Sequence, residues 1–485
     1  DPALVAKPAA YRTYLVQLSR LAGEANAEAR AAAVLAIETQ IARAHWTPVE
    51  SRDADKTYNK LTPAELGASA PAFAWARYLD EIGAAGRPNF IVRQPSAIAG
   101  TAKVIAGAPL AAAKDYLRLQ TLDAFAPYLS QPFVDAHFAF HGTALGGTPE
   151  NQEEWKRAVN LVSAAMGEEI GKTYVDRYFP PEAKAEMDKL VKNVIAAMDR
   201  RIQGLAWMAP ETKTRARAKL AAFTPKIGFP GEWRDYSALE VKRGDLVGNV
   251  IRANEFEHQR NLDKLGRPVN RNEWFMTPMT INAYANFNWN EIVFPAAILQ
   301  PPFFDPNADP AVNYGGIGAV IGHEISHHFD DQGSKYDETG RLSEWWTAGD
   351  VQRFKALTQS LVQQYNQYEP LPGKKVNGEL TLGENIGDLA GVTIAYDAYR
   401  HSLEGRDPPV IDGMTGDQRF YLGWAQVWRR NYREPNLLQR LITDPHSPSE
   451  QRTAVVRNFD AWYEAFGVKP DDTLHLAPNE RVRIW

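Results

Sequence analysis

Cysteine is absent from this chain of 485 residues. Disulfides, thiol nucleophiles and zinc–thiolate sites are therefore excluded, and any metal must be held by His, Asp or Glu. The absence does not decide the compartment. A cysteine-free chain suits a reducing cytoplasm and equally suits an exported bacterial protein that avoids disulfides.

A strong excess of charge and a long apolar run are missing too. The chain has 54 Lys and Arg against 59 Asp and Glu, for a formal charge of -5, so neither nucleic acid nor an anionic membrane is expected as a partner. No apolar run reaches the length of about 18 residues that a membrane span needs, and we expect a soluble chain with no transmembrane segment. The first residue is Asp1 rather than Met, which predicts a processed or trimmed product without its targeting segment.

The length predicts at least two domains, because a single hydrophobic core stops growing at about 250 to 300 residues. Residues 9–226 show the apolar spacing of successive helices, and glycine and proline interrupt this pattern at 227–234. Within residues 9–226, Thr62-Pro63-Ala64-Glu65 places a proline and an acid in a first turn, which predicts a helix start there. We therefore predict a helical domain over 1–245 and a second domain over 246–485. Within the second, residues 278–299 have the composition of a β-hairpin, and an apolar helix is expected from about 314 to 330.

That apolar helix contains the sequence HEISHHFDDQG at residues 323–333. His323 and His327 are four residues apart, so both rings lie on one helix face and can reach a single zinc ion. Glu324 would then lie beside the metal, where it can accept a proton from a metal-bound water. The alternative is a helix whose two histidines only satisfy backbone or carboxylate partners, and His328, on another face, is expected to be structural.

A catalytic zinc needs a third protein ligand and an open fourth position. The best candidate is in ENIGDLAG, residues 384–391, where Glu384 and Asp388 share one helix face. Glu384 would bind the metal while Asp388 accepts the second ring N–H of His323. Such a pair is usually a solvated helix face, but the surrounding glycines and apolar residues favour a packed functional helix.

Several motifs together resemble the neprilysin and endothelin-converting-enzyme group of zinc metallopeptidases. The motifs are NAYAN (282–286), VFPAAILQPPFF (293–304), NYGGIGAVIGHEISHHFDDQG (313–333), TLGENIGDLAG (381–391), FYLGWAQVWR (420–429), DPHSP (444–448) and VRIW (482–485). The resemblance covers essentially the whole chain. It implies a mainly α (α+β) fold, with a thermolysin-like catalytic domain that contains a small β-sheet and a large all-helical lid domain.

The resemblance also implies roles for further residues. His446 would stabilise the oxyanion and Asp444 would orient it, while Arg452 would bind a substrate backbone carbonyl. Asn282 and Ala283 would pair with the substrate backbone, as an exposed strand edge can do.

A hydrophobic pocket for the residue after the cleaved bond is implied as well. Phe303, Val320, Val427 and Trp428 fall where the family lines this pocket, although such residues often belong to an ordinary core.

Three further expectations come from the family. Its members carry an upstream stretch, including an arginine that engages the carboxy end of the substrate, which has no counterpart in this sequence. Val482 stands where animal relatives have cysteine, which is typical of a disulfide-free bacterial member. Periplasmic or secreted localisation is expected on the same ground.

These observations predict a metallopeptidase with one Zn²⁺ per chain that cleaves oligopeptides on the amino side of hydrophobic residues. Glu324 would be the general base. Two alternatives stay open: a non-catalytic peptide-binding scaffold that keeps the fold, and a zinc hydrolase such as an amidase for non-peptide substrates. Retention of Glu324 argues against the scaffold, and the strand at 282–286 favours peptides.

Overall fold

The computed structural model describes residue 4 and residues 6–485, and these form two compact units. The first unit comprises residues up to 165 together with 235–269 and 433–439. The second comprises 166–234, 270–432 and 440–485. This division differs from the predicted boundary near residue 245, since 166–234 lie in the second unit and 246–269 in the first.

The first unit is almost entirely helical. Its elements are α1 (Ala6–Leu21), α2 (Ala27–Ala44), α3 (Pro48–Arg52), α4 (Ala54–Thr57), β1 (Lys60–Leu61), α5 (Pro63–Ser69), α6 (Trp75–Glu81), β2 (Phe90–Ile91), α7 (Pro95–Gly107), α8 (Leu110–Phe125), a 3₁₀ turn (Ala126–Tyr128), α9 (Gln131–His137), a π-helix (Phe138–Leu145), α10 (Glu154–Ala165) and, after an excursion into the second unit, α14 (Leu246–Leu262). The two short strands pair antiparallel.

Local sequence explains where several of these helices begin. At α5, the Thr62 hydroxyl accepts a hydrogen bond from the backbone N–H of Glu65, and the Glu65 carboxylate accepts one from the backbone N–H of Thr62. Pro63 occupies the first helical position, where its missing N–H costs nothing. This start agrees with the one predicted from the sequence.

The second unit carries the remaining elements. They are α11 (Gly167–Tyr178), α12 (Pro181–Gly204), α13 (Pro210–Ala221), β3 (Thr224–Gly228), β4 (Tyr284–Asn286), β5 (Glu291–Pro295), a 3₁₀ turn (Ala296–Ile298), α15 (Pro310–Asn313), a π-helix (Tyr314–Gly318), α16 (Ala319–His327), a 3₁₀ turn (Gly333–Lys335), α17 (Ala348–Tyr365), α18 (Leu382–Ser402), α19 (Gly416–Val427), α20 (Glu434–Thr443), whose residues up to 439 are counted with the first unit, α21 (Ser449–Thr453), a 3₁₀ turn (Ala454–Asn458) and α22 (Asp460–Phe466).

A three-stranded sheet in the order β3-β5-β4 lies in this unit. The predicted hairpin is present, because β4 and β5 pair antiparallel with Tyr284 opposite Val293. The strand β3 was not predicted; it pairs parallel to β5, with Thr224 opposite Glu291. This pairing places 224–228 in the same unit as the hairpin, on the far side of the predicted domain boundary.

The helix α12 explains the rest of the boundary shift. Its buried side chains include Met187, Val191, Val194, Met198 and Ile202, spaced three to four residues apart on one face. That face packs against α18 and α16, and its residues share one hydrophobic core with them. The segment therefore completes the core of the second unit.

No single helix among the described residues is long and apolar enough to cross a membrane. One pair of helices bent by 119°, Pro95–Gly107 with Leu110–Tyr128, meets the requirement by length and composition alone.

Candidate metal centre

Two buried helices of the second unit cross at the candidate centre. α16 carries His323 and His327, and α18 carries Glu384 in its first turn. The crossing is close because glycines face it: a Cβ on Gly391 would lie 2.4 Å from the carbonyl oxygen of Ala319. The glycines noted in the 384–391 stretch are therefore required by the packing of one helix against the other.

The three predicted metal ligands come together. His323, His327 and Glu384 each offer a ligand atom, and these atoms all lie within 4.8 Å of one another. The Oε2 atom of Glu384 lies 3.1 Å from Nε2 of His323 and 3.6 Å from Nε2 of His327. This is the donor set of a catalytic zinc site with two imidazoles and one carboxylate.

A buried oxygen supports the fit to a metal. The Oε2 atom of Glu384 is buried and makes no hydrogen bond with any residue in the described part of the chain, although ring nitrogens surround it. Burial by itself raises the pKa of this carboxyl, but the charges of His327 and His446 outweigh burial and hold the pKa well below its usual range. An ionised, unsatisfied carboxylate oxygen among ring nitrogens is suited to a divalent cation.

Asp388 lies where the sequence predicted it. Its Oδ1 atom accepts a hydrogen bond from Nδ1 of His323 at 3.0 Å, so Nε2 is directed towards Glu384. Asp388 is fully buried, which raises its pKa, but the charge and hydrogen bonds of Arg452 more than compensate and lower the pKa below its usual value. The carboxylate thus stays charged and fixes the tautomer of the ring.

His327 has an equivalent partner that the sequence prediction missed. Nδ1 of His327 donates to Oδ2 of Asp330 at 2.8 Å. The other carboxylate oxygen of Asp330 accepts from the backbone N–H of Gly333 at 2.7 Å and so holds the chain just after α16. The spacing of three residues between His327 and Asp330 was a usable signal, because such residues are neighbours at the end of a helix.

Glu324 differs from the other carboxylates of the centre. Its side chain is buried at 6% exposure, one residue after His323 and three before His327, yet neither oxygen hydrogen-bonds with a described residue. Burial raises the pKa of Glu324, and the charges of His323 and His327 oppose this. The chain therefore keeps a carboxylate at the centre with no structural partner.

His446 and Asp444 also reach the centre. Asp444 accepts hydrogen bonds from Nδ1 of His446 at 2.7 Å and from its backbone N–H at 2.9 Å. Nε2 of His446 then lies 3.1 Å from Oε2 of Glu384. Burial lowers the pKa of His446, but the charge of Glu384 and the hydrogen bond to Asp444 outweigh it and raise the pKa to about 9.

Arg452 already makes hydrogen bonds and a ring contact within the protein. Its Nε and Nη2 atoms donate to the two oxygens of Asp388 at 2.8 and 2.6 Å. The guanidinium also lies over the ring of Trp428, 3.9 Å from its centroid. Nη1 makes no hydrogen bond with a described residue, so the predicted contact with a substrate carbonyl stays a prediction for this atom.

The two residues predicted to bind the substrate backbone precede the edge strand β4. Asn282 is exposed and Ala283 is buried at 6% exposure. Neither makes a hydrogen bond with another residue in the described ranges. Since β4 pairs with β5 on one side only, its other edge is open, and β4 lies against α16.

The four residues predicted for a hydrophobic pocket all belong to the core of the second unit. Val320 is 8% exposed, while Phe303, Val427 and Trp428 are partly buried against the same core. Their role as a pocket stays a prediction.

Two further buried groups shape the end of α16. The Lys219 ammonium donates to the backbone carbonyls of His328, Gly333 and Tyr336 at 2.7, 2.8 and 2.6 Å. Nε2 of His328 donates to the carbonyl of Glu291 at 3.2 Å, away from the metal ligands. Lys219 therefore supports the loop after α16, and His328 connects the end of this helix to β5.

Comparison with known proteins places these features in a family. Two sequence profiles, both described as Peptidase family M13, match residues 3–230 and 282–482. The chain belongs to peptidase family M13. The resemblance found in the sequence is thereby confirmed, as is the mainly helical fold, which M13 structures share.

The individual relatives agree with the M13 assignment. Endothelin-converting enzyme 1 of Mus musculus is 32% identical over 494 residues, covering 98% of this chain and 64% of the relative. Among solved structures, the Mycobacterium tuberculosis zinc metalloprotease ZMP1 in complex with inhibitor is 47% identical with a TM-score of 0.96, over 100% of this chain and 75% of that one. PEPO from Lactobacillus rhamnosis HN001 is 29% identical with a TM-score of 0.91, over 100% and 76%.

The chain spans just under two thirds of the length of the endothelin-converting enzymes it matches. M13 peptidases are zinc-dependent, as the ZMP1 structure illustrates, and the described residues include a group able to hold the ion, which confirms zinc as the predicted cofactor.

Proposed function

We propose that this chain is a zinc-dependent metallopeptidase that hydrolyses oligopeptides on the amino side of hydrophobic residues. One observation carries the proposal: a His–His–Glu ligand group lies beside a buried carboxylate, Glu324, that has no hydrogen-bond partner among the described residues. A site that only stabilises the fold has no need of that carboxylate.

Zinc would be held by His323, His327 and Glu384. When bound, it would polarise the scissile carbonyl and lower the pKa of a water towards roughly 7. The chain's own contribution is to fix the ligands, which it does by directing both Nε2 atoms at the free oxygen of Glu384.

Glu324 is proposed as the general base and then the general acid. Its carboxylate would take a proton from the attacking water and return it to the leaving amine. Burial favours the protonated form of Glu324, which suits a group that must hold this proton between the two steps.

His446 is proposed to donate a hydrogen bond to the oxyanion of the tetrahedral intermediate. Its ring is 43% exposed, so a substrate can reach it, and Asp444 holds it from the opposite side. A single donor of this kind is typically worth about 100 to 1000-fold in rate.

Peptide rather than non-peptide substrates are supported by the open edge of β4. An extended peptide can pair with the unbonded backbone of Asn282 and Ala283, and Nη1 of Arg452 is free to donate to a carbonyl. We propose that Phe303, Val320, Val427 and Trp428 receive the side chain after the cleaved bond. A library varied at that position tests this, because Val320→Ala should shift the preference towards larger side chains.

The central experiment compares the wild-type chain with Glu324→Gln. Zinc content and turnover of a quenched peptide library are measured for both, with Glu186→Gln, an exposed carboxylate of α12, as the matched control. We expect Glu324→Gln to retain zinc and to lose at least about 100-fold in turnover, and the control to match the wild type.

Equal turnover of Glu324→Gln and wild type would refute the assignment of the base. A wild-type chain that binds zinc and captures peptides without cleaving them would favour the scaffold alternative. Cleavage of non-peptide amides without cleavage of peptides would favour the amidase alternative.

We also propose that the protein acts in the periplasm or is secreted, which only its family membership supports. Fractionation of the source cells tests this, and recovery with cytoplasmic markers would contradict it.

A further inference from the structure

A second group of potential metal ligands lies in the first unit. Asp123 on α8, His137 at the end of α9 and His141 in the following π-helix each offer a ligand atom, and these atoms lie within 4.8 Å of one another. We propose that this group binds a divalent transition-metal ion of the zinc type at a site separate from the candidate catalytic centre.

The two histidines are four residues apart, as are the two ligands on α16. Their rings stack with centroids 4.3 Å apart and an angle of 28° between planes. Both rings therefore approach the same point from one face of the helix. Segments of π-helix occur disproportionately at functional sites.

Asp123 completes the group from a different helix. Its Oδ1 atom lies 2.9 Å from Nε2 of His141. In a tetrahedral zinc site with bonds of about 2.0 to 2.1 Å, ligand atoms are about 3.3 Å apart. The separation of Asp123 and His141 is close to that value, and a bound ion would displace the proton between them.

The surroundings hold the ligands in place. The hydroxyl of Tyr14 donates to Oδ1 of Asp123 at 2.5 Å, and the Tyr14 side chain is buried at 2% exposure. The ring of Tyr14 stacks on Phe140 with centroids 5.2 Å apart. A hydrogen bond from a buried neighbour is typical of carboxylates that bind metals.

The free ring nitrogens of His137 favour a role as a metal ligand over a packing role. Neither of its ring nitrogens hydrogen-bonds with another residue of the described chain, although the side chain is partly buried. Its ring nitrogens are therefore not committed to a protein partner and are available to a metal ion. Imidazole and carboxylate together suit Zn²⁺, Ni²⁺ or Cu²⁺ rather than Mg²⁺ or Ca²⁺.

The ligands are also accessible. The side chains of His141 and Asp123 are 36% and 22% exposed. An ion can therefore enter from solvent, and water can fill the position that three protein ligands leave open.

Zinc binding to the whole chain tests the proposal. Metal-free protein is brought to equilibrium by dialysis against micromolar Zn²⁺, and zinc per chain is measured by elemental analysis. We expect two ions in the wild type, one in His137→Gln/His141→Gln and one in His323→Gln/His327→Gln. The matched control, His45→Gln/His258→Gln, replaces two exposed histidines of the same unit and should retain two.

Circular dichroism and the ion kept at the other site show that each variant has folded. A wild type with one ion per chain, or a His137→Gln/His141→Gln variant that still binds two, would overturn the proposal.

Asp123→Asn provides a second, milder test, since it removes the charge and keeps the shape. Zinc affinity at this site should fall at least about 10-fold in a competition titration performed in the His323→Gln/His327→Gln background. Unchanged affinity would show that Asp123 is not a ligand and would refute the three-ligand site.

Discussion

Gly387 offers a sharp test of how the crossing of α16 and α18 positions the metal. A Cβ at this position would lie 2.6 Å from Cε1 and Nδ1 of His323 and 3.0 Å from Nε2. Ordinary contact begins near 3.4 Å, so in Gly387→Ala the ring or the helix must shift by about 0.8 Å. Both helices are buried in the core, and neither can move freely.

Two energetic effects of Gly387→Ala oppose each other. Alanine gains about 1 kcal/mol over glycine in a helix interior, whereas overpacking a core costs about 1 to 3 kcal/mol. The free energy of unfolding should therefore fall by no more than about 2 kcal/mol. A displacement of nearly 1 Å in a catalytic group can cost about 100-fold in rate, and zinc affinity should fall about 10 to 100-fold.

The assay measures zinc affinity by competition, kcat/KM with saturating zinc, and urea denaturation of the same samples. Gly67→Ala is the control, since Gly67 lies in α5 and a Cβ there meets no atom within 4 Å. It should be slightly stabilised and bind zinc like the wild type. If Gly387→Ala also bound zinc like the wild type, the close approach of this helix to His323 would not be what positions the ligand.

Three other substitutions test individual supports of the centre. His446→Ala should lower kcat by about 100 to 1000-fold and raise KM less; an effect on KM alone would exclude a role in the transition state. Asp330→Asn should weaken zinc binding by about 10 to 100-fold, because His327 loses its charged partner, and an unchanged titration would contradict this. Lys219→Met removes three hydrogen bonds and leaves the carbonyl of His328 without its donor, so the free energy of unfolding should fall by at least about 2 kcal/mol in urea denaturation; unchanged stability would count against this support.

Local patterns predicted much of the helical structure. The start of α5 followed from Thr62, Pro63 and Glu65, and the residue spacing in the segments of α16 and α18 correctly placed His323 and Glu384 on helices. These features depend on residues within one or two turns, which a single sequence displays.

Pairing across long sequence separations was not predictable in the same way. The strand Thr224–Gly228 is parallel to Glu291–Pro295, and no turn between them signals the pairing. Likewise, the sequence of Pro181–Gly204 does not indicate which helices pack against its buried face. The predicted boundary near residue 245 followed the change in composition, whereas the compact units follow these distant contacts.

The end of α16 shows a smaller difference of the same kind. The apolar pattern predicted a helix continuing to Asp330, but α16 ends at His327. The Asp330 carboxylate accepts a hydrogen bond from the backbone N–H of Gly333, and Lys219 donates to the carbonyls of His328, directly after the helix, and of Gly333 in the following turn. The cation comes from a helix more than a hundred residues earlier in the chain, so the local sequence around α16 could not reveal it.

The three histidines of the centre follow one rule. Each donates through Nδ1 to an aspartate: His323 to Asp388 at 3.0 Å, His327 to Asp330 at 2.8 Å and His446 to Asp444 at 2.7 Å. Each consequently presents Nε2 to the same atom, Oε2 of Glu384, at 3.1, 3.6 and 3.1 Å respectively.

This arrangement separates the carboxylates of the centre by role. Each of the three aspartates accepts a hydrogen bond from a ring nitrogen, and Glu384 is surrounded by the three rings. Among these carboxylates, Glu324 is the one that is buried, at 6% exposure, and accepts no hydrogen bond from a described residue. Burying an unpartnered carboxylate costs stability, which supports the proposed role of Glu324 as a proton acceptor beside an activated water.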